Sequence, residues 1–328
     1  MKGRILERGA AGIGRSAASM ASMTRGARLS ILIFHRVLAE PDPLFPGELD
    51  ARRFEQLMRI VSRMFSVLPL EQAVRHLECH ELPRRALAIT FDDGYADNHE
   101  IAAPILSRLG LSATVFVSAG FLDGGRMWND TVIECLRRTT VPRLDLGEFG
   151  LPILPVETVM ERRQAINRLL LIIKYQRPED RAPMLERLWQ ICSCPALPTN
   201  LMMRSADVRA LSRSGIGIGA HTVNHPILAT LADSAAEQEI SEGRSRLEAI
   251  IDAPVKLFAY PNGQPGKDFG AVHVEMAKRQ GFLAAVTTKS GVVRPGDDLF
   301  QMPRFTPWDR APWRWATRLV DHHIRGQS

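Results

Sequence analysis

Two short stretches of this 328-residue chain gather the side-chain types that hydrolytic chemistry needs. In Ala88-Ile89-Thr90-Phe91-Asp92-Asp93-Gly94-Tyr95 an apolar run ends in two adjacent carboxylates and a glycine. In Ile216-Gly217-Ile218-Gly219-Ala220-His221-Thr222-Val223-Asn224-His225-Pro226 a second apolar run ends in two imidazoles four positions apart. Each has an ordinary reading by itself, since aspartates cap helices and turns and histidines settle on backbone carbonyls. Together they offer two imidazoles and one carboxylate, a three-ligand set with a position left for water, as in catalytic zinc sites. Water bound there would lose its proton near neutral pH, and the metal could polarise a carbonyl oxygen. The remaining carboxylate, ionised beside a dication, suits a general base. The histidine pair is not the helical His-Glu-x-x-His of metalloproteases, because Thr222 stands in the glutamate position and Pro226 disfavours a helical His225.

Elements that would position these residues are legible as β-rich runs alternating with helix-period runs, the pattern of parallel strands joined by helical crossovers. Strands are expected near residues 31–34, 66–68, 86–91, 113–117, 216–220, 256–260 and 283–287. Between them, Phe54, Leu57, Met58, Val61 and Met64, or Ile240, Leu247, Ile250 and Ile251 in the segment opened by Asp233 and Ser234, repeat at helical spacing. Gly110 and Gly281 read as helix ends. Ligands of parallel α/β folds bind at the carboxyl ends of the strands, which is where Asp92, Asp93 and His221 fall. Adjacent strand side chains point to opposite faces, so a turn at Gly94 must bring both aspartates to one cavity. A third strand end, Leu257-Phe258-Ala259-Tyr260-Pro261-Asn262-Gly263, would meet the same face through a rigid turn.

The alternation breaks over residues 140–205, which begin loop-like and continue as two helical stretches. One of these sets Val159, Ile166, Leu169, Leu170 and Ile173 against Arg162, Arg163, Arg168 and Lys174. It reads as an ordinary packed helix with a solvated basic face, or as a lid over an acidic substrate.

Thr-Phe-Asp-Asp-Gly at 90–94, His-Thr-x-x-His at 221–225 and Phe-Ala-Tyr-Pro-Asn-Gly at 258–263, in this order, resemble the polysaccharide deacetylase family, also called the NodB-homology family or carbohydrate esterase family 4. The resemblance covers residues 30–305 apart from the insertion. It implies an α/β fold, a distorted (β/α) barrel of about seven parallel strands with a helical insertion, flanked by a basic tail at 1–29 and a terminal helical segment at 306–328. It also implies removal of acetyl groups, mostly N-acetyl, from an acetylated carbohydrate. Carried over by position, Asp92 is the base, Asp93, His221 and His225 hold a divalent metal with zinc first in order, and the Tyr95 N–H stabilises an oxyanion. Tyr260, Pro261 and Asn262 would line the pocket.

Two parts of the family pattern are absent. The arginine usually three residues before the third motif's proline, where it pairs with the base, is Phe258 here. Arg304, in Met302-Pro303-Arg304-Phe305, would reach the site only if the chain folds back. The family's late histidine also has no equivalent after Leu283, and His322 and His323 are expected to face solvent from a terminal helix. His35, at the end of the first strand, is placed to protonate the leaving amine and resembles the Tyr-His-Arg start of some biofilm-polysaccharide deacetylases; a structural role is the alternative. Trp128 and Trp308 are candidates for stacking on sugar rings. Two other functions compete: a sugar-binding homologue that has lost turnover, and an iron oxygenase with the same two-histidine, one-carboxylate ligands.

Composition narrows the classes further. Lys2, Arg4, Arg8, Arg15, Arg25, Arg28 and Arg36 outnumber the single acid Glu7, and that excess equals the whole net charge of +6. A neutral body behind a basic tail argues against a nucleic-acid groove. The tail lacks the apolar run of a signal peptide, so a cytoplasmic protein is expected, with peripheral membrane contact through the tail as a hypothesis. Cys79, Cys135, Cys192 and Cys194 are too scattered for a disulfide framework and read as free thiols.

Overall fold

The computed structural model describes residues 27–194 and 196–326, so nearly all of the basic tail lies outside the described residues. Seven parallel strands form the main sheet: β1 (Leu29–Phe34), β2 (Ser66–Val67), β3 (Ala86–Phe91), β4 (Thr114–Val117), β5 (Gly217–Ala220), β6 (Leu257–Ala259) and β7 (Ala284–Val286). They follow the order β1-β3-β4-β5-β6-β7, with β2 paired to β3 at Ala86 and Leu87. The seam between β7 and β1 is bridged by an irregular stretch: Met302 N–H donates to Ala285 O (3.0 Å) and Phe305 N–H to Ile31 O (2.9 Å). A distorted barrel with helical crossovers is therefore present, and it is not the double-stranded β fold that the oxygenase alternative needs.

Sequence spacing explains the layers. In β3 the side chains of Leu87, Ile89 and Phe91 join the core shared with the helices, whereas Ala86 and Ala88 join a second core with Phe116, Ala259 and Val286. Such two-sided burial gives parallel strands their unbroken apolar runs. Helix α1 (Ala51–Met64) buries Phe54, Leu57, Met58, Val61 and Met64, and Asp50 caps it by accepting from Arg53 N–H (2.9 Å). Helices α2 (Leu70–Glu78), α3 (Ala103–Arg108) and α4 (Trp128–Arg138) follow. The stretch at 140–205 contributes a short antiparallel pair at 143–144 and 154–155, then α5 (Val159–Ile173) and α6 (Pro178–Cys192). These pack on α4 through a separate core containing Val132, Leu136, Ile166, Leu169 and Leu188. The chain continues with α7 (Ser205–Arg213), α8 (Asp233–Ile251), α9 (Ala271–Arg279) and α10 (Pro312–Arg325). Gly110 and Gly281 take positive φ at helix ends, as their positions predict. Among the described residues, no helix is long and apolar enough to cross a membrane.

His322 and His323 correct the sequence reading. Both are buried, at 1% and 0% exposure, because Trp315, Leu319, His322 and His323 share the stripe of α10 that docks on the barrel. His323 Nδ1 lies 2.8 Å from Ser30 Oγ, and the His322 ring stacks on Phe305 at 3.9 Å. Burial pushes the imidazole of His322 down to about 4 and that of His323 to about 3. Both are therefore neutral in the fold and become protonated on unfolding as pH falls below 6.5. Stability is retained above that pH and lost progressively below it, down to about pH 4 for His322 and about pH 3 for His323; the loss is about 1.4 kcal/mol per pH unit for His323 and less for His322. Urea unfolding of His323→Gln should show a shallower loss between pH 7 and pH 5 than the wild type, by about 2 kcal/mol; equal slopes would refute the assignment.

Candidate metal centre

The site grows out of the β3 alternation. Ala86 and Ala88 lie on one face of the strand, and Thr90 and Asp92 continue that series to its carboxyl end. Asp93 would point the other way on a regular strand, but the chain turns, with φ of +76° at Asp93 and +89° at Gly94. A side chain at Gly94 would be strained by that φ and would crowd Val117 Cγ1 at 3.0 Å. Both aspartates consequently face one cavity of about 740 Å³ at the barrel mouth, which His35, Trp128, His221, His225, Asn262 and Thr288 also line.

The histidine loop after β5 is shaped in the same manner. Thr222 and His225 have positive φ, of +64° and +52°, and the Thr222 hydroxyl accepts from His225 N–H (3.0 Å). Glu239 of α8 accepts from the backbone N–H groups of Val223 and Asn224 at 2.9 and 2.8 Å, pinning the loop to the helix. His221 Nε2 and His225 Nε2 then lie 3.5 and 3.4 Å from Asp93 Oδ1, with the two rings 4.7 Å apart. His221 Nδ1 donates to the Ala259 carbonyl at 2.7 Å, which leaves the Nε2 lone pair aimed at the shared point. The third motif thus contributes a backbone acceptor that orients His221.

Asp93 Oδ1 is buried and has no hydrogen-bond partner among the described residues, an expensive condition for a carboxylate unless a cation belongs there. Two imidazole nitrogens and one carboxylate oxygen, all within 4.8 Å of one another, match the donors that zinc takes. Burial would raise the Asp93 carboxyl, but His221, His225 and His35 hold it well below its ordinary value. Burial pushes His225 down to about 4; in His221 burial acts the same way but is outweighed by Asp93 and Asp92, so it rises.

Asp92 is held from behind. Arg304 grips it with Nη1 on Oδ1 at 2.7 Å and Nη2 on Oδ2 at 2.6 Å. Its other donors reach Thr287 O (2.9 Å) and Thr90 Oγ1 (3.1 Å). Burial alone would raise the Asp92 carboxyl, but the guanidinium, with His221 and His35 farther off, lowers it. Arg304 is carried by the stretch that bridges the barrel seam, so the chain does fold back. Phe258, in the family's arginine position, packs instead on Tyr260 and Phe282 at 5.0 and 5.2 Å.

His35 lines the same cavity. Its loop is set by Asn98 Nδ2 donating to His35 O (2.9 Å), and by Asp97, which accepts from Arg36 Nε (2.8 Å) and Val37 N–H (3.1 Å). Asn98 opens a π-helical turn (Asn98–Ala102), a local feature that recurs near functional sites. The Tyr95 ring lies under Arg36 and its hydroxyl donates to Asp130 (3.2 Å), while its backbone N–H donates to no acceptor among the described residues.

Several expected pocket residues are placed elsewhere. Arg304 is fully buried against Asp92 and does not reach the cavity, so it cannot contact substrate directly. Tyr260 is buried and stacked on Phe269 at 3.8 Å, and Pro261 is buried beside it; neither lines the cavity, because β6 turns them into the barrel wall. Trp308 is 64% exposed, covered on one face by Arg318 at 4.0 Å, and lies outside the cavity. Asn129, Asn167, Leu170, Leu171, Lys174 and Thr288 line it without having been singled out as site residues, although the basic face of α5 was the signal for Lys174.

Comparison with known proteins agrees with this architecture. The polysaccharide deacetylase family model matches residues 80–140 and 191–283, which carry both the aspartates and the histidines. A putative polysaccharide deacetylase of Bacillus subtilis, YxkH, is 29% identical over 93 residues, 28% of this chain and 32% of that protein, so the match spans about a third of the relative. Among solved structures, Streptococcus pyogenes deacetylase PplD in complex with acetate is similar at a TM-score of 0.59 and 18% identity, covering 90% of this chain and 97% of that one. IcaB from Ammonifex degensii is similar at 0.58 and 19% identity, with the same coverage. At these identities the solved structures speak for the fold, while the two matched segments, just under half of the chain, are similar to the polysaccharide deacetylase family and carry both of its motifs found here.

Proposed function

We propose that this protein is a metal-dependent hydrolase that removes acetyl groups, N-acetyl first, from an acetylated glycan. One observation carries the reading: a buried carboxylate oxygen without a hydrogen-bond partner, facing two imidazole nitrogens on the floor of a cleft that also holds Asp92. Asp93, His221 and His225 would hold the ion, and zinc bound there would supply an acidified water and polarise the acyl oxygen. Asp92 takes the proton of the attacking water, its ionised form secured by Arg304. The Tyr95 N–H is the donor for the developing oxyanion. His35, exposed at the rim, passes a proton to the leaving amine, and Trp128 offers a face to the sugar ring.

Acetate release from a panel of N- and O-acetylated oligosaccharides tests the proposal. Release from at least one N-acetylated member is expected, with loss on exhaustive chelation and recovery when zinc is restored. A metal-loaded protein that releases no acetate from any member would overturn it.

A further inference from the structure

The family model passes over residues 141–190, and this stretch supplies one wall of the cleft. Asn167, Leu170 and Leu171 in the second half of α5, and Lys174 directly after it, line the same cavity as Asp93, His221 and His225. Leu171 is 75% exposed there, so the wall presents apolar surface to whatever enters. Lys174 is the only lysine or arginine among the lining residues; its Nζ lies 5.6 Å from the centre of the Tyr175 ring, which leaves its charge uncompensated, and among the described residues it makes no ion pair. The neighbouring carboxylates do not neutralise it: Asp92 is occupied by Arg304, and Asp93 faces the two histidines.

This wall is braced. Arg181 of α6 is 9% exposed, donates to the carbonyls of Lys174 (3.3 Å) and Gln176 (2.9 Å), and lays its guanidinium 4.7 Å from the centre of the Trp128 ring. A cation on the last carbonyls of a helix satisfies groups that would otherwise lack partners. One buried side chain thereby fixes the end of α5, and with it Lys174, relative to the aromatic ring on the cleft.

Building on the deacetylase reading above, we propose that the insertion forms a second half of the substrate site that selects an anionic glycan. Lys174 receives a carboxylate or phosphate group of the substrate, and Trp128 with Leu170 and Leu171 takes the apolar face of the adjoining sugar. Arg181 is a positioning residue. Three N-acetylated substrates matched in size test this with the full-length, zinc-loaded protein: a neutral oligosaccharide, one bearing a uronic acid beside the acetylated sugar, and one bearing a glycosyl phosphate. Both kcat/KM and calorimetric dissociation constants are measured. The wild type should favour an anionic member, and the member favoured identifies carboxylate or phosphate as the natural group. Lys174→Met should lower the anionic-to-neutral ratio roughly tenfold, mainly through KM, as expected for losing one charge-assisted contact. Arg168→Ala, on the exposed side of the same helix, should leave the ratio at its wild-type value and so controls for bulk charge. No anionic preference in the wild type, or equal ratios in the two variants, would overturn the inference. Acetate release without preference defeats the inference alone, whereas absence of acetate from all three defeats the deacetylase reading and leaves the binding ratios to judge Lys174.

Discussion

Asp92→Asn is expected to lower the rate of acetate release by about 10²–10⁴-fold, the usual contribution of a positioned base, while zinc content stays at the wild-type level. The reason lies in the division of labour between neighbours. Asp93 Oδ1 faces the imidazole nitrogens, whereas both oxygens of Asp92 face Arg304. An amide at position 92 can still accept from Arg304, but it cannot take the proton of an attacking water. Asp93→Asn should behave differently, losing bound metal together with activity, because the anionic donor of the triad disappears. Rates measured beside metal content in the purified variants separate the two. An Asp92→Asn protein within about threefold of wild-type turnover would place the base elsewhere, since that change is far below what losing a base costs.

How much of this was legible in the sequence varies with how local each signal is. All seven strands appear within a few residues of their expected positions, because parallel strands buried on both faces write themselves as continuous apolar runs. The clustering of Asp93, His221 and His225 was legible for a related reason: each sits in the turn that follows a strand end, where a short motif fixes chain direction and turn together. The partner of Asp92 was harder. Arg304 is 212 positions away, and only the pairing of residues 302–305 across the barrel seam carries it to Asp92, which no local period encodes. Tyr260 and Trp308 failed for the opposite reason, since an aromatic near a motif gives no sign of whether it faces the cavity, the core or solvent. His322 and His323 were misjudged because two polar letters concealed the continuation of an apolar stripe begun by Trp315 and Leu319. The cleft wall at α5 was half legible: its basic face was visible, but its place in the cavity shared with Asp93, His221 and His225 depends on packing against α4.

Arg304 carries the other large expected effect, on stability more than on chemistry. Its side chain has no exposed surface and Asp92 has almost none, so each charge depends on the other to remain buried. Removing one partner of such a pair typically costs about 3–5 kcal/mol, because the remaining charge is left uncompensated. Arg304→Met should therefore unfold at lower urea concentration by about that amount and lose activity with it. The double variant Asp92→Asn/Arg304→Met removes both charges, and it should recover much of the lost stability without recovering turnover. Arg304→Lys should fall between, since an ammonium preserves the charge but cannot make the paired contact with Asp92 while also reaching Thr287 O and Thr90 Oγ1. Equilibrium unfolding of the four proteins in the Asp92/Arg304 cycle gives the coupling directly. Equal destabilisation of Arg304→Met and the double variant would mean that Arg304 serves the seam through its backbone-carbonyl and hydroxyl bonds, and that Asp92 keeps its ionised form by other means. A coupling of more than about 2 kcal/mol, within the range seen for residues in direct contact, would mean that the arginine missing from the third motif is replaced, in energy as well as geometry, by one from the strand seam.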